Sequence, residues 1–199
     1  MMKIFHHRIN TSSRLVEIPS VDGVEIDIRS SGQEIILEHD PFKEGQLFTE
    51  WLKHWQGQSL ILNVKEEGIE ERTLELLSAY PNLEYFFLDQ SFPSLARTIK
   101  SGNKNTAVRV SDLESADTAL LMNCDWVWID CFLGDWNFLP GVVRRLQDNG
   151  KKICLVSPEL VRDNTLNELQ LLQDVLKNNS LLVQGVCTKL KALWVQNDF

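Results

Sequence analysis

Short apolar runs alternate with longer segments whose apolar residues recur at helical spacing along the whole chain. Eight runs rich in β-branched and aromatic residues predict strands at 3–7, 24–29, 59–65, 85–89, 107–110, 126–131, 152–156 and 182–187. A further run at 34–38 follows the second strand so closely, through Ser31-Gly32, that it predicts a hairpin-like extension. This alternation of strands and helices is typical of parallel βα units.

Amphipathic segments fill most of the gaps between the strands. They predict helices at 46–55, 70–80, 94–100, 139–149 and 166–177. Ser111 with Glu114, and Thr165 with Glu168, have the spacing of capping boxes, in which each side chain satisfies a backbone donor at the start of a helix.

The number of strands favours a small TIM-like (β/α)8 barrel with short or missing helices at its ends, at 10–20 and 189–199. An open doubly wound sheet is less favoured because no Gly-rich phosphate loop follows the first strand. No linker or low-complexity tract divides the 199 residues, so we predict one α/β domain over 1–199. The short chain predicts a shallow site, or one that a neighbouring subunit of a homo-oligomer completes.

Composition narrows the range of partners. The formal net charge is −8, from 20 basic and 28 acidic residues, which disfavours nucleic acid and anionic membranes but not an anionic small molecule. No run approaches the ~20 apolar residues of a transmembrane helix, and 1–10 lacks the apolar core of a secretory signal, so a cytoplasmic protein is expected. The four cysteines have no paired spacing and are predicted to be reduced, mostly buried thiols.

Nearly every predicted strand carries a polar or ionisable residue at or just after its carboxyl end, the edge where barrels of this type place their chemistry. In chain order these residues are His7, Glu25, Asp27, Asn63, Lys65, Asp89, Arg109, Ser111, Asp130, Ser157 and Thr188. A solvated strand end explains any one of them equally well. The whole set together indicates a site at this edge.

Glu25 and Asp27 are two positions apart in one strand, so both carboxylates should enter the same cavity. Two adjacent carboxylates repel each other unless a cation or a shared proton lies between them, and oxygen ligands suit Mg²⁺ or Ca²⁺. The alternative is an edge strand with a hydrated acidic face.

Two histidines follow predicted strands. His7 ends the first strand, and His39 precedes Asp-Pro in a stiff turn after the hairpin run. Imidazole is the usual general acid or base near neutral pH, and cleavage of a phosphodiester by an internal hydroxyl requires one of each. His6 should face away from His7, and His54 is expected to be packed or exposed.

The candidate residues also occur in a recognisable order along the chain: His7-Arg8, Glu25-Ile-Asp27, His39-Asp40-Pro41 and Asn63-Val-Lys65. This series resembles the signature of the glycerophosphodiester phosphodiesterase superfamily, which includes phosphatidylinositol phospholipase C and spider-venom sphingomyelinase D. It covers the first third of the chain closely, and the later strands agree more loosely. The resemblance implies a PLC-like barrel and a hydrolase of glycerophosphodiesters or of sugar or lipid phosphodiesters.

The resemblance also implies a role for each matching residue. These roles are catalysis for His7 and His39, phosphate binding for Arg8 and Lys65, and binding of Mg²⁺ or Ca²⁺ for Glu25, Asp27 and Asn63. Further candidates are Arg109 as a phosphate contact and Asp40, Asp89 and Asp130 as secondary site residues. Because Asn63 stands where the diesterases usually carry an acidic residue, weak metal binding is expected.

Two other functions fit the same pattern. A degenerate barrel could bind a phosphorylated sugar or headgroup without cleaving it, and Asn63 favours this alternative. A sugar-phosphate isomerase or aldolase would use a lysine or an enolising carboxylate, and Lys65 is the only lysine expected to point inward. Trp126, Trp128 and Trp136 could stack on a sugar, or else belong to the core or a subunit contact.

Overall fold

Strands form at all eight predicted places and at the hairpin extension. The computed structural model describes residues 2–163 and 165–195. Its strands are β1 (Lys3–His6), β2 (Gly23–Ser31), β3 (Glu34–Leu37), β4 (Gln46–Leu47), β5 (Ser59–Val64), β6 (Tyr85–Leu88), β7 (Ala107–Val110), β8 (Trp126–Ile129), β9 (Lys152–Val156) and β10 (Gly185–Thr188).

The sheet is a curled parallel one. Eight strands follow the order β6-β5-β2-β1-β10-β9-β8-β7, while β3 pairs antiparallel with β2 and β4 antiparallel with β3. At the two ends of this order, β6 and β7 are joined by an isolated bridge between Phe87 and Thr106 rather than by a ladder. The fold is therefore a mixed α/β fold with a sheet curled like a half barrel. A complete TIM barrel stays a prediction because its ladder is not continuous between β6 and β7.

Helices connect the parallel strands. They are α1 (Ser12–Leu15), α2 (Phe48–Leu52), α3 (Glu70–Leu77), α4 (Phe92–Lys100), α5 (Ala116–Leu121), α6 (Leu139–Asp148), α7 (Leu166–Asn178) and α8 (Lys191–Val195). As predicted, the first and last helices are short, although 196–199 of the predicted tail lie outside the described residues. No described helix combines the length and apolar character needed to cross a membrane.

Three local predictions were wrong in whole or in part. The predicted helix 46–55 begins as strand β4, and its helical part is limited to α2. Ser111 bonds Glu114 within a turn, and the cap of α5 is instead Ser115, whose hydroxyl accepts from a backbone N–H. Thr165 makes no side-chain capping bond, because its backbone (φ −100°, ψ 17°) is not in the extended conformation of an N-cap, and Glu168 pairs with Arg162 instead. Both capping patterns therefore serve other contacts.

Large apolar side chains fill the interior of the curled sheet. They include Phe5, Ile61, Phe86, Leu88, Trp128, Val156 and two cysteines, Cys154 and Cys187. Phe5 lies between two glycines on the strands that flank β1, and a Cβ atom at Gly185 would come within 2.7 Å of its ring. The interior below the carboxyl edge is therefore a packed core, and the opening for a ligand lies at that edge.

The remaining core predictions can be compared directly with the structure. Trp128 and Trp136 are buried, and Trp126 stacks on Phe86 with 4.4 Å between ring centroids, so these tryptophans belong to the core. All four cysteines are free and buried, as predicted. Burial raises the pKa of the Cys187 thiol well above its ordinary value, which keeps it protonated.

Candidate functional site

The predicted acidic pair enters the interior of the sheet. In the parallel pairing of β2 with β5, Glu25 lies opposite Ile61 and Asp27 opposite Asn63. The alternating Val24, Ile26 and Ile28 pack outward against the helical layer. Glu25 is 1% and Asp27 is 0% exposed, so the alternative of a hydrated edge strand is wrong.

Glu25 is held by hydrogen bonds from two directions. Its Oε2 accepts from the Arg8 backbone N–H at 2.7 Å, and its Oε1 accepts from the Asn63 side-chain amide at 2.8 Å. Burial, and secondly the charge of Asp27, raise the pKa of Glu25 to about 7. Near neutral pH this carboxyl is therefore partly protonated and partly charged.

Asp27 is surrounded by an amide and two cations. Asn10 clamps it, because its amide donates to Asp27 Oδ2 and its carbonyl accepts from the Asp27 backbone N–H, both at 2.9 Å. Lys65 Nζ lies 3.3 Å from Asp27 Oδ1, and Arg8 Nε lies 3.7 Å from Oδ2. The two predicted phosphate-binding cations thus lie beside the acidic pair. Sequence reasoning missed Asn10, which lies only three residues beyond His7.

His7 lies next to the acidic pair at the end of β1. Its Nε2 is 3.9 Å from Glu25 Oε2, and its buried Nδ1 has no hydrogen-bond partner. Burial lowers the pKa of His7 to about 3, assisted by the charges of Arg8 and Lys189. The ring is therefore neutral at physiological pH.

His39 reaches the same opening from the loop after β3. Electrostatic repulsion from His39 is among the smaller causes that lower the pKa of His7, so His39 lies within electrostatic range of that ring. Its carbonyl accepts two hydrogen bonds from the Arg29 guanidinium, at 2.9 and 3.1 Å, and its Nδ1 is 2.8 Å from Asp40 Oδ1. Hydrogen bonds from Lys43 and His39 lower the pKa of Asp40 to about 2. Sequence reasoning missed Arg29, which fixes this loop.

Three other candidates form a separate cluster. Arg109 binds Asp89, lies 3.9 Å from Asp130, and covers the Phe132 ring at 5.8 Å. Its predicted phosphate contact finds no support in these pairings, because two carboxylates already balance its charge. Within the described residues, no hydrogen bond or ion pair joins this cluster to His7.

The other two histidines behave as predicted. His6 faces away from His7 and lies 2.8 Å from Asp22 Oδ2, and His54 is exposed. That Lys65 is the only inward lysine stays a prediction. Lys65 lies beside buried Asp27, whereas Lys189, just after β10, is exposed although its charge acts on His7.

The carboxylate and amide oxygens at the site are of the type that binds a hard divalent cation. Asp27 Oδ1 and Asn63 Oδ1 are buried without a hydrogen-bond partner, and Glu25 adds a second carboxylate. In the described part of the chain, no three His, Cys, Asp or Glu side chains cluster as metal ligands. Two carboxylates and one amide are therefore the available protein ligands, and water would complete the coordination.

A curled parallel sheet with buried acids, cations and histidines at its carboxyl edge places the protein in the class of barrel-like α/β proteins with a strand-end site. No family model matches the sequence, and no curated protein matches it.

Solved structures share this fold. A glycerophosphodiester phosphodiesterase from Agrobacterium tumefaciens shares the fold with a TM-score of 0.69 and 13% identity, over 95% of this chain and 96% of that one. A glycerophosphoryl diester phosphodiesterase from Parabacteroides distasonis has a TM-score of 0.57 and 12% identity, over 100% and 88% of the two chains. The predicted resemblance to this superfamily is thus confirmed at the level of the fold.

Proposed function

We propose that the protein is a phosphodiesterase-like hydrolase of a glycerophosphodiester or a related sugar or lipid phosphodiester. The observation that carries the proposal is the buried Glu25–Asp27 pair, with His7 beside it and His39 at the same opening. The fold shared with solved glycerophosphodiester phosphodiesterases supports the same class of reaction.

In the proposed reaction, a substrate hydroxyl next to the phosphodiester attacks phosphorus. Neutral His7 takes the proton of that hydroxyl, the bond from phosphorus to the leaving oxygen breaks, and His39 gives that oxygen a proton. The product is a cyclic phosphate and an alcohol. Asp40, on His39 Nδ1, orients that ring.

The cations at the site bind and position the phosphate. Arg8 and Lys65, both beside Asp27, would contact the phosphoryl oxygens. Glu25, Asp27 and Asn63 would hold a divalent cation, which when bound supplies positive charge to those oxygens.

Histidine variants test the proposal. His7→Ala and His39→Ala should each lower turnover of glycerophosphodiesters by about 10²-fold or more, since general acid–base catalysis contributes on that scale. Exposed His54→Ala is the matched control and should keep full activity. Circular dichroism checks that the variants are folded. A folded His7 or His39 variant with wild-type turnover would contradict the assigned roles.

A second candidate function is binding without cleavage. It is favoured by Asn63, whose amide donates to Glu25 and so occupies an oxygen otherwise available to a cation. Calorimetric titration with Mg²⁺ and Ca²⁺ separates the two, with Asn63→Asp as the comparison because it supplies a third carboxylate. Catalysis predicts metal binding by the wild type and at least 10-fold tighter binding by N63D. Wild-type protein that binds glycerophosphodiesters but neither metal, and releases no product, would instead support the binding protein.

A further inference from the structure

Lys189 is the neighbour of His7 on the adjacent strand. The register of β1 with β10 pairs His6 with Thr188, and the His7 backbone N–H donates to the Thr188 carbonyl at 3.2 Å. Lys189 directly follows Thr188, the last residue of β10, so its backbone lies next to His7 at the carboxyl edge of the sheet. The side chain therefore begins beside His7 at the opening of the site.

The backbone at Lys189 is fixed by a buried polar corner. Glu159 Oε1 accepts from the Thr188 hydroxyl at 2.6 Å and from the Lys189 backbone N–H at 2.9 Å. Glu159 Oε2 accepts from Ser157, whose hydroxyl oxygen also accepts from Trp194 Nε1 at 2.9 Å. These contacts hold the exit of β10 in place without involving the lysine ammonium.

The ammonium of Lys189 differs from the other cations at the site. Arg8 and Lys65 both lie within 4 Å of Asp27, whereas Lys189 Nζ forms no salt bridge with any described carboxylate. Lys189 is also exposed, so its charge is available to a ligand that enters the opening. Its charge nevertheless reaches the His7 ring and helps to keep it neutral.

The strand order separates these cations. Lys65 follows β5 and Lys189 follows β10, with β2 and β1 between them. Three strand spacings amount to about 14 Å along the curved sheet. A phosphodiester group carries one negative charge and spans a few ångströms. A group held by Arg8 and Lys65 beside Asp27 lies on the β2 side of His7, whereas Lys189 lies on its β10 side and faces a different part of the substrate.

We propose that Lys189 binds a second anionic group of the substrate, so that the preferred substrates are phosphodiesters bearing an additional phosphate or carboxylate. This inference rests on the proposed function, since the position of the scissile phosphate defines where the second group lies. An exposed ammonium with no carboxylate partner gains most from a ligand anion, because no existing ion pair must be broken.

Two substrates that differ by one phosphate test the inference. Glycerophosphoinositol and glycerophosphoinositol 4-phosphate share a scaffold, and the wild type should favour the second by about 10-fold in kcat/KM, as expected for one solvent-screened charge pair. Lys189→Gln should reduce this preference to about twofold or less. Exposed Lys177→Gln on α7 is the matched control and should keep the wild-type preference.

Equilibrium binding separates failure of this inference from failure of the proposed function. Calorimetry measures the binding of the same two compounds, with EDTA present so that neither is turned over. Glycerophosphoinositol 4-phosphate should bind more tightly to the wild type than to K189Q. If neither compound is cleaved but this difference is found, the diesterase proposal fails and the role of Lys189 stands. Equal affinities in wild type and K189Q, or an equal loss for both compounds, would overturn the inference.

Discussion

Replacing Glu25 by glutamine should stabilise the protein at alkaline pH in the absence of metal. The wild-type carboxyl is fully buried beside Asp27, and its charged form is disfavoured there. Glutamine has the same shape, and its carbonyl can still accept from the Arg8 backbone N–H. If the Asn63 amide turns over, its oxygen, which has no partner in the wild type, can accept from the new side-chain N–H₂.

The magnitude follows from the pKa of Glu25. This pKa rises from 4.5 to about 7 on folding, so the folded protein holds the proton more tightly than the unfolded chain does. The stabilising contribution is complete below pH 4.5 and is lost as the pH rises through about 7. Between about pH 5.5 and about pH 8.5 the wild type should lose about 2 kcal/mol of unfolding free energy through this group. Glu25→Gln, which does not titrate, should lose none of it.

Urea unfolding at the two pH values, with EDTA present, measures the effect. Glu17→Gln is the matched control because Glu17 is exposed, and it should reproduce the pH dependence of the wild type. The difference between E25Q and the wild type should be larger at the higher pH. Parallel pH dependences for the wild type and E25Q would refute the reasoning, because they would mean that Glu25 has the same proton affinity in both states.

Two further substitutions test the support around the site. Gly23→Ala should lower the free energy of unfolding by about 1–3 kcal/mol, because its Cβ would overlap the Phe5 ring. The loss should be smaller in a Phe5→Leu background, and an equal loss in both backgrounds would contradict this packing. Arg29→Met should lower kcat at least severalfold with a smaller change in KM, because both hydrogen bonds that Arg29 Nε and Nη2 donate to the His39 carbonyl are lost. Unchanged kcat in a folded R29M variant would show that Arg29 does not position His39.

Periodicity explains which site residues could be predicted from the sequence. Strand alternation is local, so two carboxylates at positions 25 and 27 must share a side, and the buried Val24, Ile26 and Ile28 identify the other side. The carboxyl ends of parallel strands meet at one edge whatever the order of the strands. Glu25 and Asp27 could therefore be assigned to one cavity before any strand pairing was known.

Residues that act through long-range contacts could not be predicted in this way. Asn10 clamps Asp27 across 17 positions, and Arg29 reaches the His39 carbonyl around a hairpin, so neither has a local pattern. The position of Lys189 beside His7 depends on the pairing of β10 with β1, two strands that lie far apart in the sequence. The predicted capping box at Thr165 failed for a local reason, because Thr165 does not adopt the extended backbone of an N-cap and the Glu168 carboxylate pairs with Arg162, six positions away.

The distribution of unsatisfied polar atoms gives an independent argument for the position of the site. Among the described buried side chains, the nitrogen and oxygen atoms without a hydrogen bond are His7 Nδ1, Asp27 Oδ1 and Asn63 Oδ1. Asp27 Oδ1 has the Lys65 ammonium 3.3 Å away, whereas each of the other two atoms costs about 1–3 kcal/mol. A structural network would normally satisfy such atoms, as Glu159 satisfies the end of β10. These atoms lie at the ends of the neighbouring strands β1, β2 and β5, so the free-energy cost of unsatisfied polar atoms is concentrated at one place in the fold. A ligand that brings both positive charge and hydrogen-bond donors to this opening would remove the cost.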